Sequence, residues 1–267
     1  MTKLILLDID GTLVNDEKII TKITKDSLIK AQEQGIKVAI ASGRAPAGIE
    51  KYAHELEFEK FGSYISAQNG SILIDFKTKE KIADHRLDYN DAKDLLAFTK
   101  DFGLSLLIYM DGKVYTDDDS RFAVISTARD NNSPIIVKKD IHENLDFTPN
   151  NIVFCAERPL LFKHKDEIIE KFGDKFDFVL TSNMYFEAMP KGITKATSLD
   201  DLCSIHKIEI DETIAFGDSD NDVEMLQNAG LGIAMQKATD SVRAVADITC
   251  GSNNEDGIGH YLLENIF

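Results

Sequence analysis

The chain opens with an unbroken apolar run, Leu4 to Leu7, that stops against two carboxylates one residue apart, Asp8 and Asp10, followed by Gly11 and Thr12. Apolar residues in succession, rather than in alternation, mark a strand covered on both faces, as in a parallel sheet held between helices. The acids are then placed where such a strand ends. Asp, Gly and Thr suit an ordinary turn, where a carboxylate is solvated at little cost. They equally suit a phosphate-handling site, in which one acid attacks phosphorus and its neighbour moves a proton. The remainder of the sequence separates the two.

With 267 residues, 43% of them hydrophobic, the chain can build one large domain or two ordinary ones. A formal net charge of -16 argues against nucleic acid as a partner, because phosphate backbones are held by clustered Lys and Arg. Any phosphate bound is expected to be small and assisted by a cation. Cys155, Cys203 and Cys250 are scattered and odd in number, which suits a reducing compartment. No stretch approaches the run of about 18 apolar residues of a membrane span. The apolar start is too short for a secretory signal. A cytoplasmic protein without membrane or nucleic-acid partners is expected, its oligomeric state left open.

A helix is predicted over "ITKDSLIKAQEQG", with Thr24 as its cap and Gly35 as its stop, followed by the strand "IKVAIA". These complete a βαβ unit. A helix over Ala47 to Leu56 and a third strand over Tyr64 to Ala67 follow. From about Asp84 the pattern changes: "LSLLIYMDGKVYTDD" reads as a hairpin about Asp111-Gly112, and a mixed β and α pattern continues to Glu187. Parallel character returns with a helix from Thr194, the strand "TIAFGD", a helix from Asp222 to Asn228 and the strand "LGIAM". The expected architecture is α/β: a doubly wound parallel, Rossmann-like core of residues 1–83 and 188–267, interrupted by an inserted α+β domain of residues 84–187.

Ligands of open α/β sheets bind outside the carboxyl ends of the strands. The residues just past the four proposed parallel strands are Asp8 and Asp10, Ser42, Asn69, and Asp218 to Asp222. Two carboxylate groups at one sheet edge repel unless a divalent cation lies between them, and hard oxygen donors suit Mg²⁺. Lys195, opening a helix, adds positive charge at a terminus that favours anions. Acids, a metal, a hydroxyl and a lysine together describe phosphoryl transfer. A calcium loop over Asp218, Asp220 and Asp222 is excluded, since Val223 and Ala229 stand where it needs Gly and Glu. Each residue also has a plain structural use: Ser42 as a helix cap, Lys195 as a solvated lysine with Lys191 as competitor, Asn69-Gly70 as a turn.

The motifs "DIDGT" at Asp8, "SGR" at Ser42, "KGITK" ending at Lys195 and "GDSDND" at Asp218, in that order, resemble the four motifs of the haloacid dehalogenase-like (HAD) phosphatases. "NGS" at Asn69, "AMQKATDSVRAVAD" and "NNEDGI" resemble the Cof-like branch, whose large α/β cap is inserted between the second and third motifs. The resemblance implies Asp8 as a nucleophile that becomes an aspartyl phosphate and Asp10 as the acid that protonates the leaving oxygen and then activates water. It implies Mg²⁺ held by Asp218, the Asp8 carboxylate and the Asp10 backbone carbonyl, with Asp222 steadying the metal site. Gly11, Thr12, Ser42, Gly43, Asn69 and Asn221 then fall on the phosphate or substrate side, and Lys195 offsets the nucleophile's charge. Gln236 and Lys237 depart from the branch, which commonly has Gly then Asn there, and Ala196 replaces its usual glycine.

The expected function is a Mg²⁺-dependent phosphatase acting on small soluble phosphate monoesters, with a phosphomutase as the alternative within the same chemistry. A phosphorylation switch resembling a receiver domain would be far shorter and would not need Asp10 as a proton donor. A metal-binding protein without turnover would not need the full set of acids.

Overall fold

The computed structural model describes residues 1–110, 112–119, 124–125 and 133–267. Its contacts divide the chain into one unit of residues 1–42, 49–83 and 194–267 and a second of residues 43–48 and 84–193.

In chain order, the first unit begins with β1 (Leu4–Leu7), α1 (Lys22–Glu33), β2 (Lys37–Ala41), α2 (Pro46–Glu55), α3 (Phe58–Phe61), β3 (Tyr64–Ala67), β4 (Ile72–Asp75) and β5 (Lys81–Asp84). The second unit contributes α4 (Tyr89–Thr99), β6 (Ser105–Met110), β7 (Lys113–Thr116), β8 (Ile135–Val137), β9 (Ile152–Cys155), α5 (Arg158–Phe172), β10 (Phe176–Ser182) and β11 (Tyr185–Pro190). The first unit resumes with α6 (Lys195–His206), β12 (Thr213–Gly217), α7 (Val223–Asn228), β13 (Leu231–Ala234), α8 (Asp240–Val245), β14 (Ile248–Thr249) and α9 (Gly257–Asn265).

The first unit is α/β. Its sheet runs in the order β14-β13-β12-β1-β2-β3-β4-β5. β1 lies between β12 and β2, parallel to both, with Leu7 beside Phe216 on one side and Ile40 on the other. The apolar run of β1 serves two cores at once. Ile5 and Leu7 join the layer formed with α1, α2 and α9, whereas Leu4 and Leu6 join the layer formed with α6 and α7. Each fully buried side chain of this kind contributes about 1.5–3 kcal/mol. β4 turns back antiparallel to β3, an edge extension that no expectation covered.

One helix start differs from the sequence reading. Thr21, not Thr24, occupies the N-cap of α1. Thr24 lies inside the helix because it is needed in packing: its backbone N–H donates to Asp256 Oδ1 at 2.9 Å, and its hydroxyl accepts from the Gly259 N–H at 3.3 Å. A Cβ at Gly259 would collide with the Thr24 backbone, so α9 reaches α1 only through glycine.

The second unit is α+β, with a sheet in the order β10-β11-β9-β6-β7-β8. Among the described residues its pairings are antiparallel except β7 with β8. β6 and β7 form the expected antiparallel pair, Met110 opposite Lys113; Asp111 of the intervening turn lies outside the described residues. α4 and α5 cover one face through Leu95, Leu96, Leu161 and Ile168. The unit extends through Ile193 because the Glu187–Pro190 half of β11 is paired with β10.

Candidate active site

The register of the first sheet brings the ends of β1, β2 and β12 level. The Asp8 N–H donates to Phe216 O at 3.1 Å, the last ladder bond before the chains diverge. Beyond it the backbone curls into a tight turn, with Leu13 N–H donating to Asp8 O and Val14 N–H to Ile9 O, both at 3.1 Å. Gly11 makes that turn with φ of 88°, and a Cβ there would collide with the carboxylate of Asp218. Glycine is therefore required twice, for the left-handed backbone and for the closeness of the acid. Thr12 hydroxyl donates to Asp218 Oδ1 at 2.9 Å, so the turn after β1 holds the acid after β12.

The loop after β12 is organised around Asp222, which is fully buried. Its Oδ2 accepts from the N–H groups of Asp218 and Ser219, each at 3.0 Å. Ser219 Oγ donates in turn to Asp218 Oδ2 at 3.1 Å. The sequence reading offered Lys195 as an ordinary solvated lysine or as a site residue. It is 1% exposed, at the first position of α6 behind the Thr194 cap, and its Nζ donates to Asp8 Oδ1 and Asp222 Oδ1, both at 2.6 Å. Its competitor Lys191 is instead half-exposed and paired with Asp177.

Carboxylate oxygens of Asp8, Asp218 and Asp222 all lie within 4.8 Å of one another. Burial and the neighbouring Asp222 charge push the Asp8 carboxyl up to about 8, against the pull of Lys195. Burial also raises Asp218, against the hydrogen bond from Thr12. Burial alone would lower the Lys195 ammonium, but the charges of Asp222 and Asp8 hold it above the ordinary lysine value. Three ionised carboxylates with one ammonium would leave a formal charge of two minus, all of it on hard oxygen donors. That set fits a divalent cation such as Mg²⁺, and a cation there would favour the ionised form of Asp8.

Asp10 has a different environment. Its side chain is 38% exposed, and Lys18 Nζ donates to its Oδ1 at 2.7 Å. Lys18 is reached through a turn in which it has φ of 62° and donates its N–H to Asn15 O at 3.0 Å. The turn is tied to the C-terminal loop: Asn254 bonds Asp16 twice, and Asn253 Nδ2 donates to Val14 O at 2.8 Å. Sequence reading missed Lys18, Ser219 and this tie. Their contacts depend on turns whose geometry has no local periodic signal.

Ser42 is buried just beyond β2, its N–H bonded to Ser66 O at 2.9 Å. It lies four residues before α2 and is not that helix's N-cap. Gly43 begins the short segment that groups with the second unit. Asn69 and Asn221 come together, Asn221 Nδ2 donating to Asn69 Oδ1 at 2.9 Å. Asp220 takes no part in the acid cluster; its carboxylate accepts from Thr239 Oγ1 at 3.0 Å.

The arrangement can present a buried carboxylate, a divalent cation and an ammonium to one anionic group. YxeH of Bacillus subtilis (strain 168), provisionally named a phosphatase, is 28% identical over 99% of this chain and 98% of its own. YitU of the same organism, named a 5-amino-6-(5-phospho-D-ribitylamino)uracil phosphatase, is 26% identical over 98% of this chain and 96% of its own. A crystal structure of a haloacid dehalogenase-like hydrolase from Bacteroides thetaiotaomicron matches with a TM-score of 0.92 and 31% identity, covering 100% of both chains. The family model for haloacid dehalogenase-like hydrolases matches residues 5–262, and the chain belongs to that family.

Proposed function

We propose that this chain is a Mg²⁺-dependent phosphatase that hydrolyses small soluble phosphate monoesters, of the sugar-, cofactor- or nucleotide-phosphate kind, through an aspartyl-phosphate intermediate. The observation that carries this reading is the buried Lys195 ammonium, 2.6 Å from both Asp8 and Asp222 in the same cluster as Asp218. Three acids and one lysine in a dry setting are costly unless they serve a charged ligand. The first unit is then the catalytic core and the unit containing residues 84–193 its inserted cap.

In this reading Asp8 and Asp218, with the Asp10 backbone carbonyl, hold the metal, and Asp222 steadies the site through its bonds to Lys195 and to the Asp218 and Ser219 N–H groups. Bound Mg²⁺ supplies charge neutralisation, which lets an anionic nucleophile approach a phosphate dianion. Asp8 attacks phosphorus with its carboxylate. Lys195 offsets the charge of that carboxylate and of the phosphoryl oxygens. Asp10, more exposed than Asp8, gives a proton to the leaving oxygen as its bond to phosphorus breaks, and later takes one from the water that attacks the aspartyl phosphate and releases phosphate and the Asp8 carboxylate. Gly11, Thr12, Ser42, Gly43, Asn69 and Asn221 lie on the phosphate or substrate side. Thr12 also holds Asp218, as its 2.9 Å bond indicates.

The name of YitU, a phosphatase of a phosphorylated ribityl compound, supports a small hydroxylated ester as substrate class. Among the described residues no helix is long and apolar enough to cross a membrane, and all three cysteines are free, which supports a cytoplasmic setting. The test is phosphate release from a panel of sugar phosphates, nucleotides and cofactor phosphates, with and without Mg²⁺. Mg²⁺-dependent release from at least one is expected. No metal-dependent turnover on any of them overturns the reading, and transfer of the phosphoryl group to a second hydroxyl rather than water makes the protein a mutase.

A further inference from the structure

Lys18 stands where glycine would be easier. It turns the chain after β1 with φ of 62°, left-handed backbone that a residue with a Cβ adopts at a cost and keeps only where its surroundings impose it. Here they impose it from three directions. Within the turn, the Lys18 N–H donates to Asn15 O and the Asn15 N–H to Ile19 O, both at 3.0 Å, while Asn15 Oδ1 accepts from the Ile19 N–H at 2.9 Å. Val14 forms an isolated bridge with Asp10, and its carbonyl accepts from Asn253 Nδ2 at 2.8 Å. Asp16 exchanges two bonds with Asn254, its N–H donating at 2.9 Å and its carboxylate accepting at 3.0 Å.

So heavily fixed a turn carries a side chain that is half-exposed, so the lysine is not held there for core packing. Among the described residues its Nζ meets one acceptor, Asp10 Oδ1 at 2.7 Å. The nearby carboxylate of Asp16 takes its side-chain bond from Asn254 instead. An ammonium has three N–H bonds, so two remain for a ligand.

In the phosphatase reading Asp10 protonates the leaving oxygen, and the inference rests on that reading. A leaving oxygen bonded to Asp10 Oδ1 then lies within about 5.5 Å of Lys18 Nζ, two hydrogen-bond lengths laid end to end. One further oxygen of the leaving group spans that gap. A hydroxyl in that place gains an ordinary hydrogen bond, whereas a carboxylate gains a charge-assisted one, roughly twice as strong.

We propose that Lys18 determines specificity: its ammonium binds a carboxylate on the carbon that bears the ester oxygen, so that phosphate esters of 2-hydroxy acids are preferred over those of neutral alcohols. This contact is with the leaving group, apart from the residues assigned to the phosphoryl oxygens.

The test is kcat/KM at saturating Mg²⁺ on three esters of one length, phosphoglycolate, ethylene glycol monophosphate and phosphoethanolamine, whose leaving groups end in a carboxylate, a hydroxyl and an ammonium. The ratio between two esters cancels whatever a Lys18 variant does through Asp10. In the wild type, phosphoglycolate should exceed ethylene glycol monophosphate by about 10-fold or more, the scale of one charge-assisted bond. Lys18→Met should bring that ratio near one, Lys18→Arg should keep most of it, and Lys18→Glu should shift preference to phosphoethanolamine. Lys18→Gly relaxes the left-handed turn, so it should keep or raise the melting temperature while losing the preference.

A wild type without the preference, a preference that survives Lys18→Met, or a melting loss in Lys18→Gly with the preference retained would each overturn the proposal; Mg²⁺-dependent phosphate release beside any of them leaves the phosphatase reading intact. If none of the three esters is turned over, phosphoglycolate and ethylene glycol monophosphate are titrated calorimetrically into wild type and Lys18→Met with Mg²⁺. A carboxylate preference of about 10-fold confined to the wild type upholds the contact, and equal affinities overturn it. That preference in a chain that hydrolyses no ester of the wider panel would sink the phosphatase reading while leaving the lysine contact in place.

Discussion

Lys195 Nζ lies 2.6 Å from Asp8 Oδ1, an ion pair between residues 187 positions apart and both buried. A buried pair is weak evidence of stability in itself, but removing one partner strands the other charge and costs about 3–5 kcal/mol. Lys195→Met should therefore lower the denaturant midpoint substantially in metal-free buffer, because Asp222 loses its buried counter-charge and Asp8 its hydrogen-bond partner. It should also abolish phosphatase turnover. Equilibrium unfolding in urea checks the first expectation, and an unshifted midpoint would contradict it.

Mg²⁺ should stabilise the folded chain through Asp8 and Asp218, whose oxygens converge with those of Asp222 within 4.8 Å. At a concentration of about 100 times Kd, a ligand that binds only the native state adds about 2.7 kcal/mol. Thermal melts with and without Mg²⁺ should separate for the wild type and coincide for Asp218→Asn. A metal shift that survives in Asp218→Asn would remove Asp218 from the ligand set.

The pH dependence follows from Asp8, whose carboxyl burial and the Asp222 charge push up to about 8 from an ordinary value of 3.8. Between those values the native state holds a proton that the unfolded chain has lost, so stability falls as pH rises. The contribution is complete below pH 3.8 and gone once pH passes about 8. In metal-free buffer, the stability of the wild type relative to Asp8→Asn should therefore decline across this window. Saturating Mg²⁺ should flatten that decline, since the metal favours the ionised carboxylate. A wild-type advantage that grows with pH in the absence of metal would contradict the assignment.

Gly11→Ala tests the closeness of the turn after β1 to Asp218. The residue has φ of 88°, and its Cβ would collide with the Asp218 carboxylate, so strain and displacement of the acid arrive together. The variant should melt lower than the wild type and lose the Mg²⁺-induced shift. Retention of the full shift would show that the acid can move aside without cost to the metal.

Asp10 differs from Asp8 in being exposed, and its pair with Lys18 joins side chains that are 38% and 52% accessible. Such pairs contribute only about 0–1 kcal/mol. Asp10→Asn should consequently leave the melting temperature near that of the wild type while lowering turnover by about 10² to 10⁴, the usual scale for a general acid. Steady-state rates beside a melting curve make the comparison, and a near-normal rate would remove the side chain from the chemistry.

Much of this was written in local pattern. The unbroken apolar run of β1 implied a doubly covered strand, and the structure divides its residues between two cores. Strand ends placed Asp8 and Asp218 at one edge, because parallel neighbours in register finish level. The α1 start was misread at Thr24, since a threonine within a helix and one at its cap look alike until the partner, here Asp256, is known.

What the sequence by itself determined is the alternation of strand and helix and the acids at the strand ends, both consequences of side-chain periodicity and local turn chemistry. Tertiary structure decided which of those groups meet. Lys195 is buried against Asp8 and Asp222, Thr12 holds Asp218, and Asn69 turns left-handed to take Asn221. Hydrogen bonds between residues 152 to 206 positions apart leave no trace in spacing, because sheet register and the close approach permitted by glycine bring them together.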